Sequence, residues 1–313
     1  MKRNPALDYL KIVLSILVIA IHITPLAIYD IEHYIRNGIA RTAVPVFYII
    51  NGYFLYNAII GNNLRKPLLR ILQLYLVWML IYLPFYYSEL SLSGVIIKLI
   101  NGYYHLWYLP GLLGGMIILF FLKKTGMKNS SIFRLSIILF LIGWLIQKVR
   151  LIEPDIPAIE ILSKISVSRN FIFLGFPFIS IGYLIKAEKI TLQQIIKPQH
   201  SWGWVILAIS LLLLESHIGK IIKPIGTDFY LALFFLCPLL FLMFKDYPAK
   251  TMKSDFYAKL YVAIYFLHPL MIFLSKKIFP EFNNSLHYLM VLILSFAGSI
   301  VLIYLNRKIK IFL

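Results

Sequence analysis

The chain has 313 residues, of which 60% are hydrophobic and 14% charged, against roughly 25% charged in an ordinary soluble domain. Its formal net charge is +18, but the bases are spread over the gaps between apolar runs, so a clustered nucleic-acid-binding face is excluded as the reason for the charge. A single cysteine, Cys237, allows no intrachain disulfide, and the seven scattered histidines lack HExxH or CxxC spacing, so no metal is expected.

Apolar segments of about 20 residues, the length that crosses a bilayer, recur along the whole chain. They predict an all-α, polytopic transmembrane bundle in one domain, 1–313, with the bilayer as solvent for most of its surface. In chain order the spans are expected at about 7–29, 38–60, 68–87, 103–122, 132–150, 168–187, 202–218, 226–245, 258–279 and 286–306. The seventh is short and ends in "LLLLESH", and the eighth contains Pro238. The stretch 91–101, "SLSGVIIKLIN", is too short to span and is expected along the interface. "MKRNP" before the first apolar run imitates a signal peptide, but no small-x-small cleavage site follows, so the run is read as a mature helix. No internal repeat favours an inverted-repeat transporter.

Alternate loops, starting with the N-terminus, carry 19 of the Lys and Arg residues against 11 on the opposite side. The acids run the other way, and both termini are therefore expected in the cytoplasm. The connection at 150–169, "RLIEPDIPAIEILSKISVSR", is the longest on the outer side and a candidate for acceptor selectivity.

The first helix is unusual. Asp8, Lys11, Ser15, Val18 and His22 are spaced 3, 4, 3 and 4 apart, a single seam with four polar members. Lys11 and His22 share a face about 20° past three full turns, separated along the axis by about 16 Å. A polar seam facing lipid is costly, so it is expected to face the bundle or a wet cavity. Asp8 is placed to neutralise Lys11. Lys11 either snorkels to water or belongs to a site, and His22 is either a structural hydrogen-bonding group or a functional one; the shared stripe favours function. Glu215, an acid in an apolar run near the outer end of the seventh helix, is either a wet helix-end carboxylate or the group that orients His22. His268, before Pro269 and mid-span, needs a partner and is read chiefly as structural. Pro45 and Gly52 read as backbone devices: a break in the second helix and a close helix approach.

"LDYLKIVLSILVIAIHITPL" followed by "RTAVPVFYIINGYFLYN" resembles the opening of the acyltransferase-3 family of integral-membrane acyltransferases. "PLLRILQLYLVW" (67–78), "YHLWYLPGLL" (104–113) and "YFLHPLMI" (265–272) extend the resemblance over nearly the whole chain. The wording is most similar to the branch with the enterobacterial-antigen acetyltransferases and the membrane portion of the vancomycin-resistance serine racemases. The resemblance implies transfer of an acyl group, usually acetyl, from cytoplasmic acyl-CoA to a hydroxyl of a glycan or other envelope acceptor. It places His22 at the family's catalytic histidine and Lys11 at the upstream basic position, normally arginine; lysine loses the bidentate fork of a guanidinium. Arg70 matches the second member of the family's paired-arginine motif, while position 67 is Pro and Arg65 or Lys66 stands in for the first. Asn51 replaces the usual serine before Gly52.

On this reading Lys11, Arg65, Lys66 and Arg70 meet the donor's phosphates at the cytoplasmic mouth, and the thin pantetheine arm spans the rise to His22. Neutral His22 is then a suitable general base for a poorly nucleophilic sugar hydroxyl; an acetyl-histidine intermediate is the second option. His105, Trp107 and Tyr108 are either an interfacial aromatic belt or an acceptor-binding platform. Arg41 is a candidate ligand for an acceptor carboxylate or phosphate, the alternative being a lipid head group.

The expected function is O-acylation of a cell-envelope glycan or lipid-linked saccharide at the bacterial inner membrane, with acetyl-CoA as donor, membrane lipids as neighbours and no nucleic-acid partner. The rival is a transporter of a small polar molecule such as an amino acid. The helices consume the 313 residues, so no racemase domain and no soluble glycan-binding or esterase-like domain is expected.

Overall fold

A computed structural model describes residues 4–23, 29–87, 92–151, 157–223, 227–248 and 255–313. Lys2, Arg3, Lys250 and Lys253, which entered the orientation argument, and residues 152–156 of the long outer connection lie outside the described residues. No strand occurs among the described residues, and the all-α expectation holds. The helices are α1 (Pro5–His22), α2 (Tyr29–Arg36), α3 (Ala43–Ile60), α4 (Arg65–Tyr82), α5 (Leu92–Asn101), α6 (Tyr108–Lys124), α7 (Asn129–Val149), α8 (Pro157–Ser163) and α9 (Ile165–Ser168). They continue with α10 (Phe176–Ala187), α11 (Leu192–Ile195), α12 (Ser201–Ile222), α13 (Leu233–Asp246), α14 (Phe256–Ile278) and α15 (Asn284–Lys308).

Among the described residues, eight helical stretches are long and apolar enough to cross a membrane, so the chain is a multi-pass membrane protein. Two of the ten expected spans are shorter. Phe171–Ala187 begins as a π-helical turn before α10, and α13 has only 14 residues. As expected, 91–101 yields a helix too short to span, α5. The side chains Leu80, Ile206, Phe235 and Ile300 are exposed, as the bilayer as solvent requires.

The fold comprises two compact units, residues 1–44 with 192–313, and residues 45–191. In the first, α1 is the central helix: 61% of its span is buried, against 22% for α12. It packs on α14 and also meets α13, α15 and the 3-10 turn Ile39–Thr42. Its start is defined by Asn4, whose side chain accepts the Ala6 N–H at 2.9 Å and donates to the Lys245 carbonyl at 2.8 Å at the end of α13. Pro5 follows at the first helical position, where a missing N–H is harmless. The α14–α15 pair is the most extensive of the unit, pinned near its connection by Ser275 and His287, 2.8 Å apart.

Helix α1 ends at His22, not at 29 as expected, because Pro25 can neither donate to residue 21 nor tolerate a helix running into it. The polar α2, which the sequence reading divided between the first span and a loop, lies against α12. Tyr34 and His217 are 2.6 Å apart, His33 Nε2 is 3.2 Å from the Ser216 carbonyl, and Lys220 pairs with Asp30. These bonds accommodate the polar "ESH" segment, and α12 runs on to Ile222 instead of stopping near 218.

In the second unit, α3 and α10 meet through glycines. A Cβ on Gly52 would lie 1.9 Å from the Ile179 carbonyl oxygen, and one on Gly182 the same distance from that of Ile49. This is the close approach expected of Gly52. Pro45 is not a break within a helix: it occupies the first turn of α3, after Ile39–Thr42 has already set the bend. Gly114 and Gly115 similarly seat α6 against Phe171–Phe176, whose N-cap Asn170 accepts the N–H groups of Ile172 and Phe173, while Gly111 makes room for the Tyr48 hydroxyl of α3. Gly102, at φ +75°, ends α5 and turns the chain into Tyr104–Trp107; a side chain there would also meet the Trp107 nitrogen.

Candidate active site

The α1 stripe faces the interior of the first unit. Asp8, Lys11, Ser15 and Val18 are buried and His22 is half-buried, while Tyr9 and Val13 on other faces are exposed. The polar seam therefore packs against protein and avoids lipid, principally along α14. Lys11 Nζ is 3.3 Å from Asp8 Oδ1 and 4.9 Å from the centre of the Tyr261 ring. Ser15 donates to its own helix at Lys11 O, 2.9 Å, and lies 3.3 Å from the Tyr261 carbonyl.

At the other end of the stripe His22 closes α1, instead of standing two turns inside it as the longer helix implied. Its ring centre is 5.3 Å from that of His268 on α14, with the planes 31° apart. His268 is fully buried, and its Nδ1 is 2.7 Å from the Tyr265 carbonyl. The sequence reading required a partner for His268 but did not bring it to His22. The available signal was the His-Pro pair in α14, because a proline frees the carbonyl four residues back.

Glu215, expected to orient His22, lies two turns inside α12. Its carboxylate accepts the N–H of Ala232 at 3.3 Å, satisfying a donor at the start of α13. Arg41 is enclosed by acceptors of its own unit: Asp228 at 2.5 Å, Asn37 Oδ1 at 2.9 Å and the Arg36 carbonyl at 2.9 Å. Its side chain is 10% exposed. This clamp ties Ile39–Thr42 to the segment before α13, and it was not legible from spacing because Asp228 is remote in sequence.

The second unit holds four of the candidate acceptor residues, Asn51, His105, Trp107 and Tyr108. Asn51 donates to Tyr108 Oη at 2.8 Å and to the Phe47 carbonyl at 2.9 Å. Tyr48 stacks on Tyr108 with ring centres 4.7 Å apart. The Arg169 guanidinium lies over Trp107 at 4.5 Å, a cation–π partner that sequence reasoning missed. His105 is buried, with its ring edge-on to Tyr82 at 5.2 Å, so it is inside the aromatic cluster.

Arg65, Lys66 and Arg70 occupy the first two turns of α4, and all three are exposed. No acid stands in that first turn. Three cations at the positive end of a helix dipole are mutually unfavourable and form a ready receptor for an anion. Among the described residues, no group of three or more His, Cys, Asp or Glu side chains is arranged to hold a metal ion.

Comparison with known proteins agrees with this arrangement of a membrane bundle. Residues 4–304 match the family described as an acyltransferase domain, acyltransferase-3. The chain is 30% identical to a serine/alanine racemase of Enterococcus gallinarum, over 98% of this chain and 46% of that protein. It is 27% identical to an amino-acid racemase of Enterococcus faecalis, over 99% of this chain and 47% of that protein. The chain thus spans about half the length of these curated relatives. No solved structure matches it. With nearly its whole length matched, the chain belongs to the acyltransferase-3 family of membrane acyltransferases.

Proposed function

We propose that the protein transfers an acetyl group from cytoplasmic acetyl-CoA to a hydroxyl of an envelope glycan or lipid-linked saccharide, at the inner membrane of a bacterium. The observation that carries this reading is His22 at the end of a buried polar stripe in a chain of the acyltransferase-3 family. His22 removes the hydroxyl proton as the oxygen attacks the thioester carbon, and the thiolate leaves. The exposed cations Arg65, Lys66 and Arg70 attract the donor's phosphates at the positive end of the α4 dipole. Lys11 contributes to the donor's field from within its Asp8 pair. Trp107 and Tyr108, with Asn51 behind them, offer a sugar ring an aromatic and hydrogen-bonding surface.

The second reading is carriage of a small polar molecule such as an amino acid across the membrane; the racemase relatives' names supply serine and alanine as the solutes to try. Proteoliposomes separate the two. An acyltransferase moves label from acetyl-CoA into an added envelope extract and accumulates no serine or alanine. A carrier accumulates radiolabelled serine or alanine with no CoA present and leaves acetyl-CoA intact, which would overturn the proposed reaction.

A further inference from the structure

Helix α5 exposes Ile96, Ile97 and Ile100, as a short helix lying in the membrane interface does. Two hydroxyls brace this region. Tyr75 Oη, on α4, donates to the carbonyls of Lys98 at 3.2 Å and Leu99 at 2.8 Å, in the last turn of α5. Tyr86 Oη donates to the Met79 carbonyl at 2.9 Å and fixes the segment that follows α4. Between the two helices lies a cavity of about 320 Å³, walled by Leu76, Met79 and Leu80 on one side and Val95 and Leu99 on the other. Its size is that of a small-ligand site, and its walls are almost all hydrocarbon.

Lys98 supplies the cation of this lining. A lysine on an interfacial helix ordinarily extends to water. Here the ammonium is held over the rings of Tyr103 at 5.4 Å and Tyr86 at 6.0 Å, which stack with centres 4.7 Å apart. A positive charge thus stands where the apolar cavity meets an aromatic pair. The chain leads from there to the proposed sugar platform. The Gly102 N–H donates to the Lys98 carbonyl at 2.8 Å, and a Cβ on Gly102 would lie 2.5 Å from the Trp107 nitrogen. Cavity, ammonium and Trp107 therefore succeed one another within the second unit.

We infer that the acceptor is a saccharide carried on a polyisoprenyl phosphate: its chain occupies the α4–α5 cavity, its phosphate meets Lys98 and its sugar reaches Trp107. The inference rests on the reading of the protein as an acyltransferase of an envelope saccharide, and it selects the lipid-linked form over a free glycan. Hydrocarbon, anion and sugar follow one another along such a molecule in the order in which the structure offers partners for them. A half-buried ammonium against two rings gains more from a phosphate than one at a wet surface. A free glycan gives the cavity no role, and an ordinary phospholipid gives the neighbouring platform none.

The test is photocapture of a diazirine-tagged polyisoprenyl phosphate by the full chain in lipid nanodiscs, with no acyl donor present. Label should map to α4 and α5. Excess untagged polyisoprenyl phosphate should displace it, and polyisoprenol and phosphatidylglycerol should not. Capture should fall about tenfold in Lys98→Gln and return in Lys98→Arg. Leu80→Trp, which fills the cavity from an exposed position, should also lose capture, while Ile300→Trp on α15 should keep it. Label spread over all bilayer-facing helices, equal displacement by phosphatidylglycerol, or full capture in both Lys98→Gln and Leu80→Trp would overturn the inference. A second arm supplies radiolabelled acetyl-CoA with envelope extract, then separates solvent-soluble lipid-linked saccharides from water-soluble glycan. Label should enter the solvent-soluble fraction and pass to water after mild acid, which cleaves a sugar–phosphate bond. Label confined to the water-soluble glycan would overturn the inference. No transfer to either fraction, with capture intact, would overturn the acyltransferase reading instead and leave the lipid site standing.

Discussion

Lys11 and Asp8 form an ion pair at 3.3 Å with both side chains at most 10% exposed. One turn of α1 thereby carries a lysine inside the bundle without a net charge. Removing one partner strands the other, which typically costs about 3–5 kcal/mol. Asp8→Asn should lower the thermal unfolding midpoint in detergent markedly, and adding Lys11→Met should restore much of it. Equal stability of wild type and Asp8→Asn would mean that the pair is not buried in the folded protein.

The glycines make a sharper steric prediction. Gly52→Ala and Gly182→Ala each drive a methyl group into a backbone carbonyl across the α3–α10 contact, where no side chain can swing away. Overpacking of this kind costs about 1–3 kcal/mol or more, so both should lose folded yield in fluorescence-detected gel filtration. Gly203, on α12, has nothing within 4 Å of its would-be Cβ. Gly203→Ala should be neutral, or more stable by up to about 1 kcal/mol from helix propensity.

Arg41 separates a clamp from a ligand-binding role. Its guanidinium is spent on Asp228, Asn37 and the Arg36 carbonyl. Arg41→Gln should therefore destabilise the protein by about 3–5 kcal/mol, and Asp228→Asn should do the same. A variant of unchanged stability with a raised KM for acceptor would assign Arg41 to substrate instead.

The three bases at the start of α4 predict opposite effects on binding and stability. Replacing Arg65, Lys66 and Arg70 together by Gln should raise the KM for acetyl-CoA and weaken its dependence on salt, with little change in kcat. The same change relieves unfavourable charge at the helix start, worth about 0.3–1 kcal/mol per residue at most. The unfolding temperature should hold or rise. A fall in stability with unchanged KM would contradict the donor-binding role.

The apolar lengths and the α1 stripe were legible in the sequence because a bilayer imposes length and because 3- and 4-residue spacing fixes a face. The end of α1 was legible too, in Pro25, but the apolar run beyond His22 masked it. The α2 helix was not: its short polar segment resembles a loop until α12 supplies Ser216, His217 and Lys220 as partners. The start of α13 was placed too early for the same reason, since residues 227–232 serve Arg41 and Glu215 before the helix begins. The meeting of His22 with His268 depends on how α1 lies against α14, a tertiary fact to which the His-Pro pair alone gives half the clue.

The most direct measurement is the turnover of radiolabelled acetyl-CoA by the purified protein in lipid nanodiscs, with envelope extract as acceptor, comparing wild type with His22→Gln. Label transfer by the wild type that falls by at least about 100-fold in a folded His22→Gln protein is the predicted result. Transfer that survives the substitution, or a wild type that neither binds nor consumes acetyl-CoA, would contradict the assignment of His22 as the base of an acetyl-CoA-dependent acyltransferase.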